Sequence, residues 1–165
     1  MTLADSILME MEQEAQTTKK VLQQVPEDRL NWRPHPKSFS LGQLALHIAS
    51  TPAGVATAAV PDTFERPSFA QPEPKSRKEI LETFSQSLDT VKTLVGKMDD
   101  ARLAAIWSLT SDGKVVMSMP RITFLRSILM NHTYHHRGQL SVYLRLLNVP
   151  VPAIYGPSAD ENPFA

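Results

Sequence analysis

Three of the chain's five histidines lie within five positions of one another, in the segment NHTYHHRGQL that spans residues 131–140. On a helix, His132 and His136 are one turn apart, so their imidazoles project from one face towards a common point. This spacing is typical of helix-borne metal ligands, because imidazole nitrogens bind late first-row divalent cations. It also suits two core histidines that hydrogen-bond to buried neighbours. The segment alone leaves both interpretations open.

Helical periodicity predicts where these side chains point. On a wheel with about 100° per residue, one face of a helix over residues 120–147 carries Leu125, Leu129, His132, His136, Gln139, Tyr143 and Leu147. The opposite half carries Arg126, Tyr134, Arg137, Ser141 and Arg145. We therefore expect His132 and His136 at the middle of the core-facing stripe. Arg137 is expected on the outer face, as a salt-bridge or dimer-contact residue.

His135 falls at the edge of the apolar face, about 80° from its centre on the same wheel. We expect it to support a ligand or to contact another chain. The alternative is that it replaces His136 as the ligand. His136 is favoured because it shares the central face with His132.

His47 strengthens the metal interpretation. It lies in the segment LALHIAS, between Leu46 and Ile48, where an unpartnered imidazole is costly. The wheel places it at the margin of its helix's apolar stripe, from which it can reach a neighbouring helix. Three histidines from two helices would leave coordination positions open, as in catalytic rather than closed structural sites. His35 lies between prolines in RPHPK, and we expect it at the surface.

Other polar residues accompany the histidines. Gln43 precedes His47 by one turn, and Gln139 and Tyr143 continue the face of His136. They are candidates to orient ligands or hold substrate. The favoured alternative makes Gln43 a helix-cap partner and Tyr143 a core residue with its hydroxyl at the rim. The carboxylates of Asp160 and Glu161 either approach the site or lie in solvent.

Composition excludes several classes of protein. Seventeen basic side chains balance seventeen acidic ones, and no stripe of basic residues runs along the last helix. Both observations argue against a nucleic-acid partner. The absence of cysteine excludes disulfides and thiolate ligands, so any metal must be held by nitrogen or oxygen. The N-terminal segment lacks the pattern of a signal peptide, and no apolar run is long enough for a membrane span. We therefore expect a cytoplasmic protein without a membrane partner.

The elements that must position these residues are mainly helical. Periodicity predicts helices over residues 4–24, 40–61, 76–98 and 120–147, with Ser40 and Gln43 forming a capping box and Pro52 kinking or interrupting the second helix. The proline-rich stretch 61–75 is expected to be an irregular connector. A small hairpin is expected near residues 105–118, around Asp112-Gly113. The prediction is an all-α four-helix bundle with long crossover connections, in one domain over residues 1–165.

Two segments, WRPHPKSFSLGQLALHIAS and NHTYHHRGQLSVYLRLLNVPVPAIYGPSADE, resemble the DinB-like (damage-inducible) four-helix-bundle superfamily. The resemblance implies a bundle with a long crossover that binds a divalent metal through His47, His132 and His136. It also implies a homodimer in many members and, in some branches, transferase or isomerase chemistry with a low-molecular-weight thiol. Other members are described as metal-dependent hydrolases. The stretch over residues 61–119 carries little of the resemblance.

These observations leave two main hypotheses for the function. The first is a metal-dependent enzyme, either a thiol-dependent transferase or a hydrolase, that acts on a small molecule with zinc or nickel as cofactor. The second is a metal-binding module that senses or stores a ligand without turnover. The sequence shows no unambiguous catalytic carboxylate beside the histidines, which keeps the second hypothesis open.

Overall fold

Four long helical segments form the framework, as predicted. The computed structural model describes residues 1–68 and 70–164, so Phe69 of the predicted connector and Ala165 lie outside the described residues. Helix α1 spans Leu3–Gln23, α2 spans Leu41–Ala58 and α3 spans Arg77–Val95. The fourth segment runs from α5, Arg121–Phe124, to α6, His132–Leu146, and a short α4 covers Asp100–Ala104. This arrangement confirms the helical bundle.

Helix α2 begins at the predicted capping box. The Ser40 hydroxyl accepts a hydrogen bond from the Gln43 amide at 3.0 Å, and the Gln43 side chain accepts one from the Ser40 amide at 3.1 Å. Of the two expectations for Pro52, a kink or an interruption, the interruption is wrong, because α2 continues through it to Ala58. Proline disturbs the helical hydrogen bonds around it. The next amide, that of Ala53, donates to the Ser87 hydroxyl of α3 at 2.7 Å, so the neighbouring helix supplies a partner at this turn.

A three-stranded sheet lies beside the bundle. Strands β2, Ile106–Ser111, and β3, Lys114–Pro120, form the predicted hairpin, whose turn places Asp112 and Gly113 at φ values of 53° and 72°. Positive φ at both turn residues is what an Asp-Gly hairpin turn requires. The connector contributes an additional strand, β1, over Thr63–Glu65, which pairs in parallel with β2. The prediction of an entirely irregular connector is therefore wrong for these three residues.

The fourth helical segment contains a π-helical turn over Leu125–Asn131. There the His132 amide donates to the Ser127 carbonyl, five residues back rather than four. Such a turn accommodates one extra residue, so every side chain after it is rotated relative to a regular α-helix. The predicted helical wheel of residues 120–147 is consequently out of step beyond this turn.

The core comprises two apolar clusters along the bundle. One surrounds Trp107, whose ring stacks on Phe124 with centroids 3.8 Å apart, and the other surrounds Leu41 and Leu140. On the fourth helical segment, His132 and His136 fall between the residues that belong to these two clusters. Within the described residues, no helix is both long enough and apolar enough to cross a membrane.

Candidate metal centre

The three predicted ligands come together from two helices. His47 is carried by the first half of α2 and retains only 8% of its surface exposed, while His132 and His136 occupy the first turn of α6 and are partly exposed. Helices α2 and α6 pack against each other, which brings His47 to the histidine face of α6. One side of the cluster is thus embedded in the bundle and the other is accessible to solvent.

The imidazole nitrogens converge. The Nε2 atoms of His47 and His132 are 3.2 Å apart, and those of His132 and His136 are 2.5 Å apart. One ring nitrogen of each histidine lies within 4.8 Å of those of the other two. Two nitrogens bound to one tetrahedral zinc ion, each at about 2.0–2.1 Å, would be about 3.3–3.4 Å apart. The separation of His47 and His132 matches this value, and His132 and His136 would have to move slightly apart to hold the same ion.

The imidazoles are in the neutral form, which can bind a cation. Burial, reinforced by the neighbouring His136 and His132, lowers the pKa of His47 to about 4. Burial also lowers the pKa of His132 and of His136, again with a contribution from adjacent histidines. All three rings are thus neutral at neutral pH, and a neutral imidazole is the form that binds a metal.

Hydrogen bonds on the outer ring nitrogens determine which nitrogen is free. The Nδ1 atom of His136 is 2.7 Å from Oε1 of Gln139, an acceptor that holds the proton on Nδ1 and leaves Nε2 as a lone pair. Nδ1 of His47 is 3.0 Å from the side-chain nitrogen Nε2 of Gln71, an NH2 donor whose place the amide oxygen takes after a half-turn of the side chain. Lone pairs that point at one another repel unless a proton or a cation lies between them. The donor set therefore fits a divalent cation bound through the Nε2 atoms.

Comparison with known proteins agrees with this fold. The DinB family model matches residues 1–163. The chain belongs to the DinB family. A crystal structure of a DinB-like protein from Bacillus cereus ATCC 10987 superposes with a TM-score of 0.72 at 27% identity, covering 92% of this chain and 97% of that one.

Two further relatives match over most of their length. A DinB-like protein of Bacillus subtilis, YjoA, shares the fold with a TM-score of 0.70 at 15% identity, covering 90% of this DinB-family chain and 96% of its own. The uncharacterized protein YrdA of Bacillus subtilis (strain 168) is 29% identical over 158 residues, which are 95% of this chain and 90% of YrdA.

One prediction about the last helix of this DinB-family protein is wrong. His132 and His136 do not lie at the middle of the buried stripe, which instead consists of Thr133, Arg137, Leu140 and Leu144. The π-helical turn is the cause, because its extra residue moves the core-facing side one position along the chain. Arg137, predicted on the outer face, is consequently buried with 1% exposure, although the predicted salt bridge exists, with Glu14 at 2.7 Å.

Each of the other predicted site residues has a defined partner. Gln139 contacts His136 directly, and Gln43 caps α2 while its amide donates to the Gln71 carbonyl at 2.7 Å. His135 is exposed, and its ring packs against His136 with centroids 4.9 Å apart. Tyr143 packs on Trp32, as a core residue at the rim would.

The two carboxylates whose place the sequence leaves open, and His35, stay away from the hydrogen bonds of the cluster. Asp160 pairs with Arg145, and Glu161 accepts a hydrogen bond from the Ala153 amide at 2.7 Å, so both carboxylates fold the tail upon itself. His35 is exposed, as predicted, and its Nδ1 accepts a hydrogen bond from the Lys37 amide.

Sequence reasoning missed Gln71. It lies in the connector between β1 and α3, which has no periodic pattern, and only the capping glutamine Gln43 hints that a neighbouring segment must meet the start of α2. The connector is attached there by more than this contact. Glu73 accepts hydrogen bonds from the Ser40 hydroxyl at 2.6 Å and from Arg33 at 2.9 Å. A segment expected to be a plain connector thus forms part of the surroundings of His47.

Proposed function

We propose that this DinB-family protein is a metal-dependent enzyme that acts on a small molecule, with His47, His132 and His136 as ligands of a divalent cation. One observation carries the proposal: three neutral imidazoles from two helices present nitrogens within 4.8 Å of one another. Zinc and nickel are the proposed metals, because both accept imidazole donors. Three protein ligands leave positions for water or substrate.

The protein's own residues prepare the site for such a cation. Burial keeps His47 neutral, and Gln139 holds the proton of His136 on the outer nitrogen. His132, whose Nε2 is close to both other rings, is the third proposed ligand and lies just after the π-helical turn. Because α6 leaves His132 and His136 partly exposed, a substrate has access from that side while the bundle protects His47.

The proposed chemistry is thiol-dependent transfer or hydrolysis. A divalent cation supplies Lewis acidity, which lowers the pKa of a water molecule or thiol bound to it. The chain has no cysteine, so a thiol would have to be a separate low-molecular-weight co-substrate. Three imidazoles leave the double charge of the cation uncompensated, which favours an anionic nucleophile such as a thiolate. A homodimer remains a prediction from the resemblance.

A metal-binding module without turnover is the second candidate. It is favoured by the partners of the imidazoles among the described residues, which are glutamine amides, the Thr51 hydroxyl and other imidazoles, with no carboxylate in hydrogen-bonding contact. A hydrolase commonly uses a carboxylate or histidine as general base. Exposed His135, beside His136, is a titratable group that would serve an enzyme in this role.

Metal content tests the shared part of both candidates. Untagged protein should retain close to one divalent ion per chain after reconstitution with zinc or nickel and desalting, measured by elemental analysis. His132→Ala should reduce this to near zero, and His35→Ala, which removes an exposed histidine, should leave it unchanged. Wild-type protein that binds no stoichiometric metal would contradict the proposal.

Activity then separates the two candidates. The metal-loaded protein should be incubated with low-molecular-weight thiols and a panel of electrophiles, and separately with ester and amide substrates. Turnover that disappears in His132→Ala supports the enzyme. A loaded protein that converts none of these compounds supports the binding module.

A further inference from the structure

The connector reaches the candidate metal centre through one side chain. Gln71 lies between β1 and α3, far from the histidines in sequence, yet its side-chain amide is 3.0 Å from Nδ1 of His47. Nδ1 is the nitrogen that faces away from His132, whose Nε2 approaches the other nitrogen of the His47 ring. Gln71 therefore contacts the side of the imidazole that a metal ligand does not use for the metal.

We propose that Gln71 is a positioning residue that fixes the tautomer and orientation of His47 for metal binding; this inference rests on the proposed function. When Nε2 of His47 binds a cation, its single proton must be on Nδ1 and needs an acceptor. A glutamine amide presents an NH2 group and an oxygen that exchange places by rotation about its last side-chain bond. In the present arrangement the NH2 group of Gln71 faces Nδ1. After a half-turn the oxygen faces Nδ1 instead and accepts the proton of the metal ligand.

The structure holds Gln71 in place for this role. Its backbone carbonyl accepts a hydrogen bond from Gln43, one turn before His47, at 2.7 Å. Two residues on, Glu73 is bonded to Ser40, and Pro74 packs so closely on α2 that a Cβ at Gly42 would be 2.9 Å from its ring. Three contacts therefore fix the connector to the first turn of α2, and Gln71 extends from this attachment to the imidazole.

Thr51 is the competing partner of His47. Its hydroxyl is 3.4 Å from Nδ1 and equally 3.4 Å from Nε2, so it lies beside the ring and favours neither nitrogen. The contact of Gln71 is shorter and is directed at Nδ1 alone. Gln139 likewise contacts Nδ1 of His136, there through its oxygen Oε1, which is the arrangement that the half-turn of Gln71 would give at His47. Two neutral amides, one from α6 and one from the connector, thus orient two of the three ligands.

The test measures metal affinity in four variants. Gln71→Ala should weaken Zn²⁺ binding about 10- to 100-fold, which is the usual effect of removing an outer partner of a ligating histidine. Gln71→Glu should bind at least as tightly as wild type, because a carboxylate accepts the Nδ1 proton better than an amide does. Thr51→Val should change the affinity less than Gln71→Ala. Gln86→Ala, the same deletion at an exposed position of α3, should leave affinity unchanged.

Two further measurements distinguish positioning from general damage. The thermal midpoint of metal-free Gln71→Ala should stay close to wild type, and the visible absorption of its Co²⁺ complex should differ from that of wild type in the bands that report ligand geometry. Wild-type affinity in Gln71→Ala, or equal losses in the Ala and Glu variants, would overturn the inference. Absence of metal from wild type would instead overturn the proposed function.

Discussion

Helix α6 carries two polar clusters on different sides. The charges of one cluster are paired within the protein, whereas the nitrogens of the other face one another. On one side, the buried guanidinium of Arg137 pairs with Glu14 at 2.7 Å, donates to Thr18 at 3.1 Å and donates to the Tyr155 hydroxyl at 2.6 Å. Its planar head lies over the rings of Tyr134 and Tyr155, at 5.3 and 5.0 Å from their centroids. Donors meet acceptors throughout this cluster.

The histidine cluster on the other side is not balanced in this way. Each of its three rings is neutral and turns a nitrogen towards the other two, while amides bind the outer nitrogens of His47 and His136. Three imidazole nitrogens thus face one another without a charged hydrogen-bonding partner among the described residues. The contrast indicates that the arginine cluster stabilises the fold by itself, whereas the histidine cluster is arranged for an additional cation.

The largest expected effect on the free energy of unfolding comes from removing the guanidinium of Arg137. Arg137→Ala leaves the carboxylate of Glu14, which is 15% exposed, without its cation. Removing one partner of a buried ion pair costs about 3–5 kcal/mol, so the free energy of unfolding should fall by that amount in urea titrations with a chelator present.

The exposed ion pair of Arg145 and Asp160 provides the control for this change. Arg145→Ala should cost less than about 1 kcal/mol, because solvent screens such pairs. Equal losses in the two variants would mean that the Arg137 cluster does not stabilise the fold as argued.

Metal addition should have the next largest effect and should act on the histidine cluster alone. At a free zinc concentration 100 times the dissociation constant, the free energy of unfolding should rise by about 2.7 kcal/mol. His132→Ala should abolish this increase in differential scanning calorimetry. A variant of the other cluster, Tyr155→Phe, should keep it, and loss of the metal response in that variant would show that the two clusters are not independent.

Acidification of the metal-free protein should also act on the histidines. Their pKa values are lower in the folded chain than in the unfolded one, so the folded state binds fewer protons between about pH 4 and pH 6.5. The free energy of unfolding should therefore fall as the pH falls through this range. His47 should contribute most of this change, because its pKa is lowered furthest and its side chain is the most deeply buried of the three.

The pH dependence is measured by urea titrations at pH 6.5 and pH 4.5, in wild type and in His47→Gln. The variant should lose less stability than wild type over this interval. A variant with an unchanged slope would show that His47 does not contribute to it.

The smallest expected effect comes from a glycine between the two clusters. A Cβ at Gly138 meets nothing within 4 Å, so Gly138→Ala should stabilise α6 by about 0.5–1 kcal/mol through the lower backbone entropy of the unfolded chain. Gly42→Ala should have the opposite effect, because its Cβ would approach Pro74 to 2.9 Å and the Leu30 carbonyl to 3.1 Å. Thermal melts of the metal-free variants provide both measurements, and a destabilised Gly138→Ala would contradict the first.

Local sequence signals predicted most of the framework. The capping box of α2 depends on residues three apart, and the Asp112-Gly113 turn depends on two adjacent residues, so both are visible without tertiary information. The clustering of His47, His132 and His136 was a hypothesis from their helix positions and an implication of the resemblance, and the structure brings the three together. Strand β1 did not, because its three residues are stabilised by pairing with β2, some 45 positions further along the chain.

Two features of the site depend on information that a periodic pattern does not contain. The wheel assumes a constant rotation per residue, and the π-helical turn breaks that assumption just before His132. Gln71 lies in a proline-rich segment whose path is set by its attachment to α2. Neither departure is encoded in the spacing of apolar residues, so both required coordinates.

The π-helical turn decides which side chains of α6 face the bundle. If residues 125–131 wound as a regular α-helix with none removed, His132 and His136 would turn under the bundle and Arg137 would turn out to solvent. Excision of a single residue there would instead take out the extra residue and leave the later side chains facing as they do now. A lineage that drops one codon in this turn would thus lose the π-helical winding and keep its solvent-accessible histidine pair.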